Sequence, residues 1–193
     1  AGVWTFDYTG TTLAEGGYVL TAQATDSAGN TSVASGNFTL TIDTTAPAAP
    51  VVASFSDDSA TPGDSITNDN QLVFAGTAES NASVQVFIDA VAVGITTADG
   101  VGSWTFDYSG TTLADNTYAI TATASDASGN TSPASGALSI TIDTTVAQPA
   151  VSAISADTGT AGDGITSDPT LIISGTAEAD STVTLMRGGV PIN

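Results

Sequence analysis

The 193-residue chain carries one basic residue, twenty acidic residues and a formal net charge of −19, with no histidine and no cysteine. This charge argues against nucleic acid and anionic membrane surfaces as partners, and the missing residue types exclude disulfides and His/Cys zinc sites. No apolar run approaches the roughly 18 residues of a membrane-spanning helix, so membrane insertion is not expected. Because 41% of the residues are hydrophobic, a folded chain is favoured over a disordered one.

An internal repeat divides the chain. Residues 2–45 and 102–145 are identical at 28 of 44 aligned positions, and a second matching pair, 63–87 and 162–186, is offset by 99 residues. A repeat of about 100 residues is the size of one β-sandwich domain. We therefore expect three pieces: 1–45 is the C-terminal half of one repeat, 46–145 is a complete repeat, and 146–193 is the N-terminal half of the next.

Strand signals dominate the complete repeat, with Val, Ile, Thr and aromatic residues in period two between turn residues. Seven strands are predicted, at 51–55, 72–78, 83–89, 91–97, 104–108, 118–124 and 138–142. Each strand has one apolar face and one polar face, which indicates a two-sheet sandwich. Trp104 is expected in its core. Tyr118 and Tyr18 stand where a tyrosine corner is expected. The first 45 residues should supply the last three strands of a preceding domain.

Neither terminal half can bury a full core alone. Two explanations stay open at this stage. Either the chain is cut from a longer protein, or the end of one molecule completes the start of the next, which would build a head-to-tail filament from copies of the chain.

Acidic side chains should gather where successive repeats meet, because the predicted strand order places the exit of one domain against the far-pole loops of the next. At the first junction Asp43 is expected to face Glu79, Asp99 and Asp126. At the second, Asp143 is expected to face Glu178. Carboxylates that converge repel each other unless a cation lies between them, and Ca²⁺ prefers such oxygen ligands. We therefore expect calcium at the junctions.

A second candidate metal site lies inside the complete repeat, in the polar loop 56–70. Its members are Asp57, Asp58, Asp64 and Asp69, and they are echoed in the next repeat by Asp157, Asp163 and Asp168. The alternative is that each Asp caps a turn through bonds to the backbone. The loop 126–130 allows both interpretations, since Asp126 can ligate a metal while Gly129 and Asn130 form the turn.

Catalysis is not expected, because no His or Lys is present to serve as base beside a Ser or Thr nucleophile. Two non-catalytic functions remain. A structural spacer explains near-identical repeats, since each joint is the same. A module that binds a sugar or a protein receptor would instead show solvent-facing aromatics or a loop that differs between repeats.

Several motifs together resemble one family. They are the run Gly76-Thr77-Ala78-Glu79, the W-T-F-D-Y strand, the L-A-D-x-x-Y corner, the A-x-D-x-x-G-N-T-S loop and the T-I-D-T-T-A-P linker. They resemble the bacterial immunoglobulin-like repeats of giant biofilm-associated and type I-secreted surface adhesins. The resemblance implies an all-β rod of tandem seven-stranded immunoglobulin-like sandwiches on the cell surface, which supports adhesion and biofilm formation. Its partners would be neighbouring repeats, and its junction ligands would include Asp43 and Asp143, with Asp126 and Glu79.

Overall fold

The structure, a computed structural model, describes residues 2–155, 157–158, 160 and 162–192. It divides into two compact units, Ala1–Ile142 and Asp143–Asn193. All regular elements in the described ranges are β-strands, which confirms the all-β prediction. Within those ranges there is no helix that could cross a membrane.

Ten strands build the first unit. They are β1 Gly16–Leu20, β2 Phe38–Ile42, β3 Val51–Phe55, β4 Ile66–Thr67, β5 Val73–Thr77, β6 Ser83–Ile88, β7 Val91–Thr97, β8 Ser103–Asp107, β9 Asn116–Ser125 and β10 Leu138–Ile142. The complete repeat places β3-β5-β8 in one sheet and β4-β10-β9-β6-β7 in the other. All seven predicted strands are present. The two-residue strand β4, which pairs parallel to β10, was missed because it lies inside the polar loop 56–70.

The core of the complete repeat lies between these two sheets. Phe74 and Trp104 enter it from the smaller sheet, and Val84, Ile120 and Ile140 enter it from the larger one. Burial alternates along β9, where every second residue from Ile120 to Ala124 is buried. This pattern is the one expected of a two-layer sandwich, and the predicted core position of Trp104 is confirmed.

Gly76 makes room for Trp104. The two residues are paired across β5 and β8. A Cβ atom on Gly76 would lie 2.5 Å from the Trp104 ring and 1.9 Å from the carbonyl oxygen of Val51. Any larger residue would therefore push the indole out of the core or separate β3 from β5.

The first 45 residues form a smaller structure than predicted. β1 and β2 pair as an antiparallel hairpin, with Tyr18 opposite Leu40. Residues 4–8 form no strand, so the prediction of three strands is wrong here. A strand needs a neighbour to bond to; β5 is that neighbour for 104–108, and among the described residues no strand pairs with 4–8.

The described residues of the second unit form four strands: β11 Ala150–Ile154, β12 Ile173–Thr176, β13 Met186–Arg187 and β14 Val190–Pro191. β11 pairs with β12 and β13 with β14, both antiparallel. The bulge between Val151 and Ala153 in β11 repeats the bulge between Val52 and Ser54 in β3. This half of a repeat therefore has the local form of the complete one.

Candidate functional site at the repeat junction

The loop 126–130 is organised by one carboxylate. Asp126 Oδ1 accepts the N–H groups of Ser128 at 2.8 Å and Asn130 at 2.9 Å, while Oδ2 accepts the Asn130 side-chain amide at 2.9 Å. Gly129 takes a left-handed φ of +91°, which favours glycine. Asp26 makes the same bonds in the first half of the chain. The turn interpretation of this loop is therefore correct in both copies.

These bonds hold the loop carboxylates in their charged form. The Asn130 side-chain amide is the main group that lowers the pKa of Asp126 below its ordinary value, and Asn30 does the same for Asp26. Both bonds are made to the ionised carboxylate, which they favour. These two carboxylates therefore stay ionised to a lower pH than an ordinary aspartate does.

Asp43, which follows β2, lies against this loop. Its Oδ2 accepts the Ser128 hydroxyl at 3.1 Å, and its backbone carbonyl accepts the Asn130 side-chain amide at 3.2 Å. The amide of Asn130 therefore bridges the Asp43 carbonyl and the Asp126 carboxylate. Pro47 and Pro50 in the linker that follows are buried. The expected meeting of Asp43 with the 126–130 loop is found in the structure.

The other two acids of the first junction are not drawn into this network. Asp99 Oδ1 accepts the N–H groups of Val101 at 2.9 Å and Ser103 at 2.8 Å, within its own loop. Glu79 is exposed. Among the residues that the structure describes, no three His, Cys, Asp or Glu side chains come close enough together to hold a metal ion. The four-carboxylate calcium site stays a prediction.

Within the second unit, the linker is tied to a glutamate. Glu178 Oε2 accepts the N–H of Ala147 at 2.7 Å, and Asp143 Oδ1 accepts the N–H of Thr145 at 3.2 Å. In the part of the chain that the structure describes, no three acidic side chains including these two gather into a metal site. The expected proximity of Asp143 and Glu178 therefore also stays a prediction, although both side chains hold the same stretch of chain.

The acids of the loop 56–70 mostly cap turns. Asp64 Oδ1 accepts the N–H of Ile66 and Asp69 Oδ1 that of Gln71, each at 2.9 Å. Asp57 has a left-handed φ of 50°, and its carbonyl accepts the Thr67 hydroxyl. The side chains of Asp64 and Asp69 therefore favour the structural interpretation, whereas the bond at Asp57 is made by its backbone.

Asp58 differs from the rest of that loop. Its Oδ2 accepts the N–H of Gly63, whereas its Oδ1 is buried without a protein partner. Asp157 repeats both features, with Gly162 as donor. In the next repeat, Asp163 and Asp168 also cap turns. Among the described residues no cluster of three acids forms around Asp58, so its role as a metal ligand remains a prediction.

Sequence reasoning missed two junction residues, Ser128 and Asn130, as contacts of Asp43. It also missed Glu15, whose Oε2 accepts the hydroxyls of Thr44 at 3.2 Å and Thr45 at 2.7 Å. The available signal was position: both loop residues follow Asp126, which was already placed at the junction. Ser128 and Asn130 are neutral residues, and the chemistry of a calcium site predicts acidic ones.

Comparison with known proteins identifies the repeats. Residues 1–44 and 45–144 each match the family model of the bacterial Ig-like domain. No curated protein matches the chain. Among solved structures, similarity is found to a Ca²⁺-stabilized adhesin with which an Antarctic bacterium reaches out and binds ice, at 27% identity and a TM-score of 0.37. That match covers 72% of this chain and 34% of that one.

Proposed function

Since the chain belongs to the bacterial Ig-like domain family, we propose that it is a non-catalytic spacer of an extracellular bacterial surface adhesin, stiffened by Ca²⁺ at its repeat junctions. In this role the repeats hold an adhesive region away from the cell and so support adhesion and biofilm formation. The immediate partners of each repeat are its neighbours in the chain.

One observation carries the proposal: the exit of one repeat is fastened to a loop of the next. Asp43 follows β2, the last strand of its half-repeat, and its side chain and carbonyl are both bonded to the 126–130 loop. A spacer needs such a joint, because a free linker would let neighbouring repeats reorient. The sequence repeats both sides of the joint, since Asp143 and Asp26 stand at the corresponding positions.

Calcium is supported by the chemistry of the donors rather than by a closed site. Asp43 offers a carboxylate and a carbonyl oxygen, and Asp126 offers a second carboxylate in the loop that Asp43 contacts. These are hard oxygen ligands of the type that Ca²⁺ prefers. Glu79 and Asp99 complete the proposed set at the first junction, and Asp143 and Glu178 belong to the second.

A receptor-binding module is less well supported. In residues 46–142, all of which are described, every aromatic side chain is buried or half-buried. The exposed aromatics, Trp4, Phe6, Tyr8 and Phe38, all lie in residues 1–45, outside the complete repeat. An aromatic platform for a sugar is therefore not a feature of the complete repeat.

Calorimetric titration of the chain with CaCl₂ tests the metal role. We expect saturable binding that Asp43→Asn weakens about tenfold or more, because one charged ligand is lost; a tenfold loss is about 1.4 kcal/mol. Asp107→Asn is the matched control, since Asp107 also accepts an N–H two residues ahead but is not proposed as a ligand. Absence of binding, or equal effects of the two substitutions, would contradict the calcium site.

A further inference from the structure

The larger sheet of the complete repeat places its first and last strands in sequence side by side. These strands are β4 and β10, and they pair in parallel, with Thr141 opposite Ile66 and Ile142 opposite Thr67. All other pairs of named strands in the described ranges are antiparallel. Because β4 and β10 point the same way, the chain that arrives at β4 and the chain that leaves β10 are attached at opposite ends of the pair.

This geometry decides how a pull along the chain acts on the repeat. Tension slides β4 against β10, so the contacts between the two strands are strained together and must break together. A hairpin that is pulled at its two open ends separates one residue pair at a time. The parallel pair therefore resists a pull better than the same contacts would in a hairpin.

β4 has only two residues, but it is bonded on both sides. Thr141 of β10 donates its N–H to the carbonyl of Ser65 at 2.9 Å. The Thr67 side chain is 1% exposed. Its hydroxyl donates to the Asp57 carbonyl and accepts the N–H of Asp69 at 3.0 Å. β4 thus ties the polar loop around it to the last strand of the repeat.

β3, which precedes this loop, is held less well. It is an edge strand of the smaller sheet, and a bulge between Val52 and Ser54 interrupts its pairing with β5. Val52 is its only buried residue. Under tension β3 should therefore detach first and free residues 51–65, up to the start of β4.

We propose that β4 and β10 form a mechanical clamp, which stops the extension of the complete repeat after β3 has detached. The repeat then lengthens by at most about 50 Å, at roughly 3.3–3.6 Å for each freed residue, and the rest of its core stays closed. The purpose of the clamp rests on the proposed spacer function, because a spacer is under tension when its adhesive region is held. The contact itself needs neither calcium nor an adhesive partner.

Single-molecule stretching of the 193-residue chain in EDTA tests the clamp. The chain has no cysteine, so Ala48→Cys and Val146→Cys, both at exposed positions, attach the handles before β3 and after β10. At constant force we expect a first extension of at most about 50 Å and then a pause before the repeat unfolds. Thr141→Pro removes the N–H that reaches Ser65. It should shorten the pause about threefold to tenfold, the range expected for the loss of one hydrogen bond.

Ser139→Pro is the matched control in the same strand. Ser139 is exposed, and β4 does not extend to it. Its pair, Ala119, uses its own N–H and carbonyl on Asp89, so the Ser139 N–H joins no strand pair in the fully described range 46–142. This variant should keep the wild-type pause. Equal pauses in the Thr141→Pro and Ser139→Pro variants, or a wild type without a pause, would overturn the proposal.

A second direction of pulling decides the matter if Thr141→Pro prevents folding. Handles at Asn68→Cys, an exposed position just after β4, and at Val146→Cys pull on the adjacent ends of β4 and β10. The pair then opens from one end and does not slide, so the repeat should unfold at a clearly lower force than with handles at 48 and 146. Equal forces in the two directions would also overturn the clamp. Because every measurement is made in EDTA, that result would leave the calcium proposal untouched.

Discussion

Residues 2–45 and 102–145 are identical at 28 of 44 positions, and they form different structures. In both, the Tyr hydroxyl of the corner donates to a backbone carbonyl four residues upstream, from Tyr18 at 2.8 Å and from Tyr118 at 3.1 Å. The Asp loop and the strand pair that flanks it are also the same. The pentapeptide W-T-F-D-Y, however, is a strand only at 104–108, where β5 lies beside it.

The comparison separates local from long-range determinants. Turns and the corner need only residues that are near in sequence, so they form in the incomplete half as well as in the complete repeat. The edge strand and the burial of Trp104 need partners about 30 residues or more away, because strand pairing and a core require a second layer. Paired substitutions at equivalent positions measure this difference directly.

The largest difference in the free energy of unfolding is expected between substitutions of the two tryptophans, Trp104 and Trp4. Trp104→Ala should lower the free energy of unfolding of the complete repeat by about 3–5 kcal/mol, since a large core side chain is removed. Trp4→Ala should change stability by less than about 0.5 kcal/mol, because Trp4 is exposed and makes no core contact. Urea unfolding followed by circular dichroism at low protein concentration measures both. Similar losses at the two positions would mean that residues 2–45 have a core of their own.

A smaller difference is expected at two serines with the same bonds. Ser132 Oγ accepts the N–H of Ala124 at 2.9 Å in a buried site, and Ser32 Oγ accepts that of Ala24 at 3.0 Å in an exposed one. Ser132→Ala should cost about 1–3 kcal/mol, because a buried N–H loses its partner. Ser32→Ala should cost less than about 1 kcal/mol, since water can replace the hydroxyl. Calorimetric melting of the two variants makes the measurement, and equal shifts would contradict the role of burial.

The smallest difference is expected between the side-chain pKa values of Asp7 and Asp107, which should be nearly the same. The side-chain bond from Thr9 or Ser109, followed by the backbone bond from the same residue, lowers the pKa of each carboxylate below its ordinary value of 3.8. A lowered pKa adds stability above the unfolded-state value, which is lost as the pH falls through the folded-state value. Titration followed by carbon NMR should therefore place both groups below 3.8 in the folded chain. An ordinary pKa at Asp7, together with a lowered pKa at Asp107, would show that this turn needs the complete repeat.

Most of the fold could be predicted from the sequence, because period-two alternation and turn residues mark each strand of the complete repeat. Strand β4 could not, since two residues in a polar loop carry no periodic signal and pair only with the distant β10. The 4–8 segment was predicted as a strand because its sequence is that of β8, and the sequence does not show whether a partner strand is available.

The junction could be predicted in part. Strand order placed Asp43 beside the 126–130 loop, and the contact is present. The contacts themselves are made by Ser128 and Asn130, which are neutral residues that also serve the turn. Which acids turn toward one another at a junction depends on side-chain rotamers and on any bound ion, and alternation patterns contain neither.

The proposal that metal at the repeat junctions stabilises the chain is tested most directly by melting the chain in calcium and in chelator. A ligand present at about 100 times its dissociation constant adds about 2.7 kcal/mol, so CaCl₂ should raise the melting temperature by roughly 5–10 °C over EDTA for a chain of this size. The increase should be much smaller in Asp43→Asn and unchanged in Asp107→Asn. Melting curves that coincide in calcium and EDTA would contradict the claim.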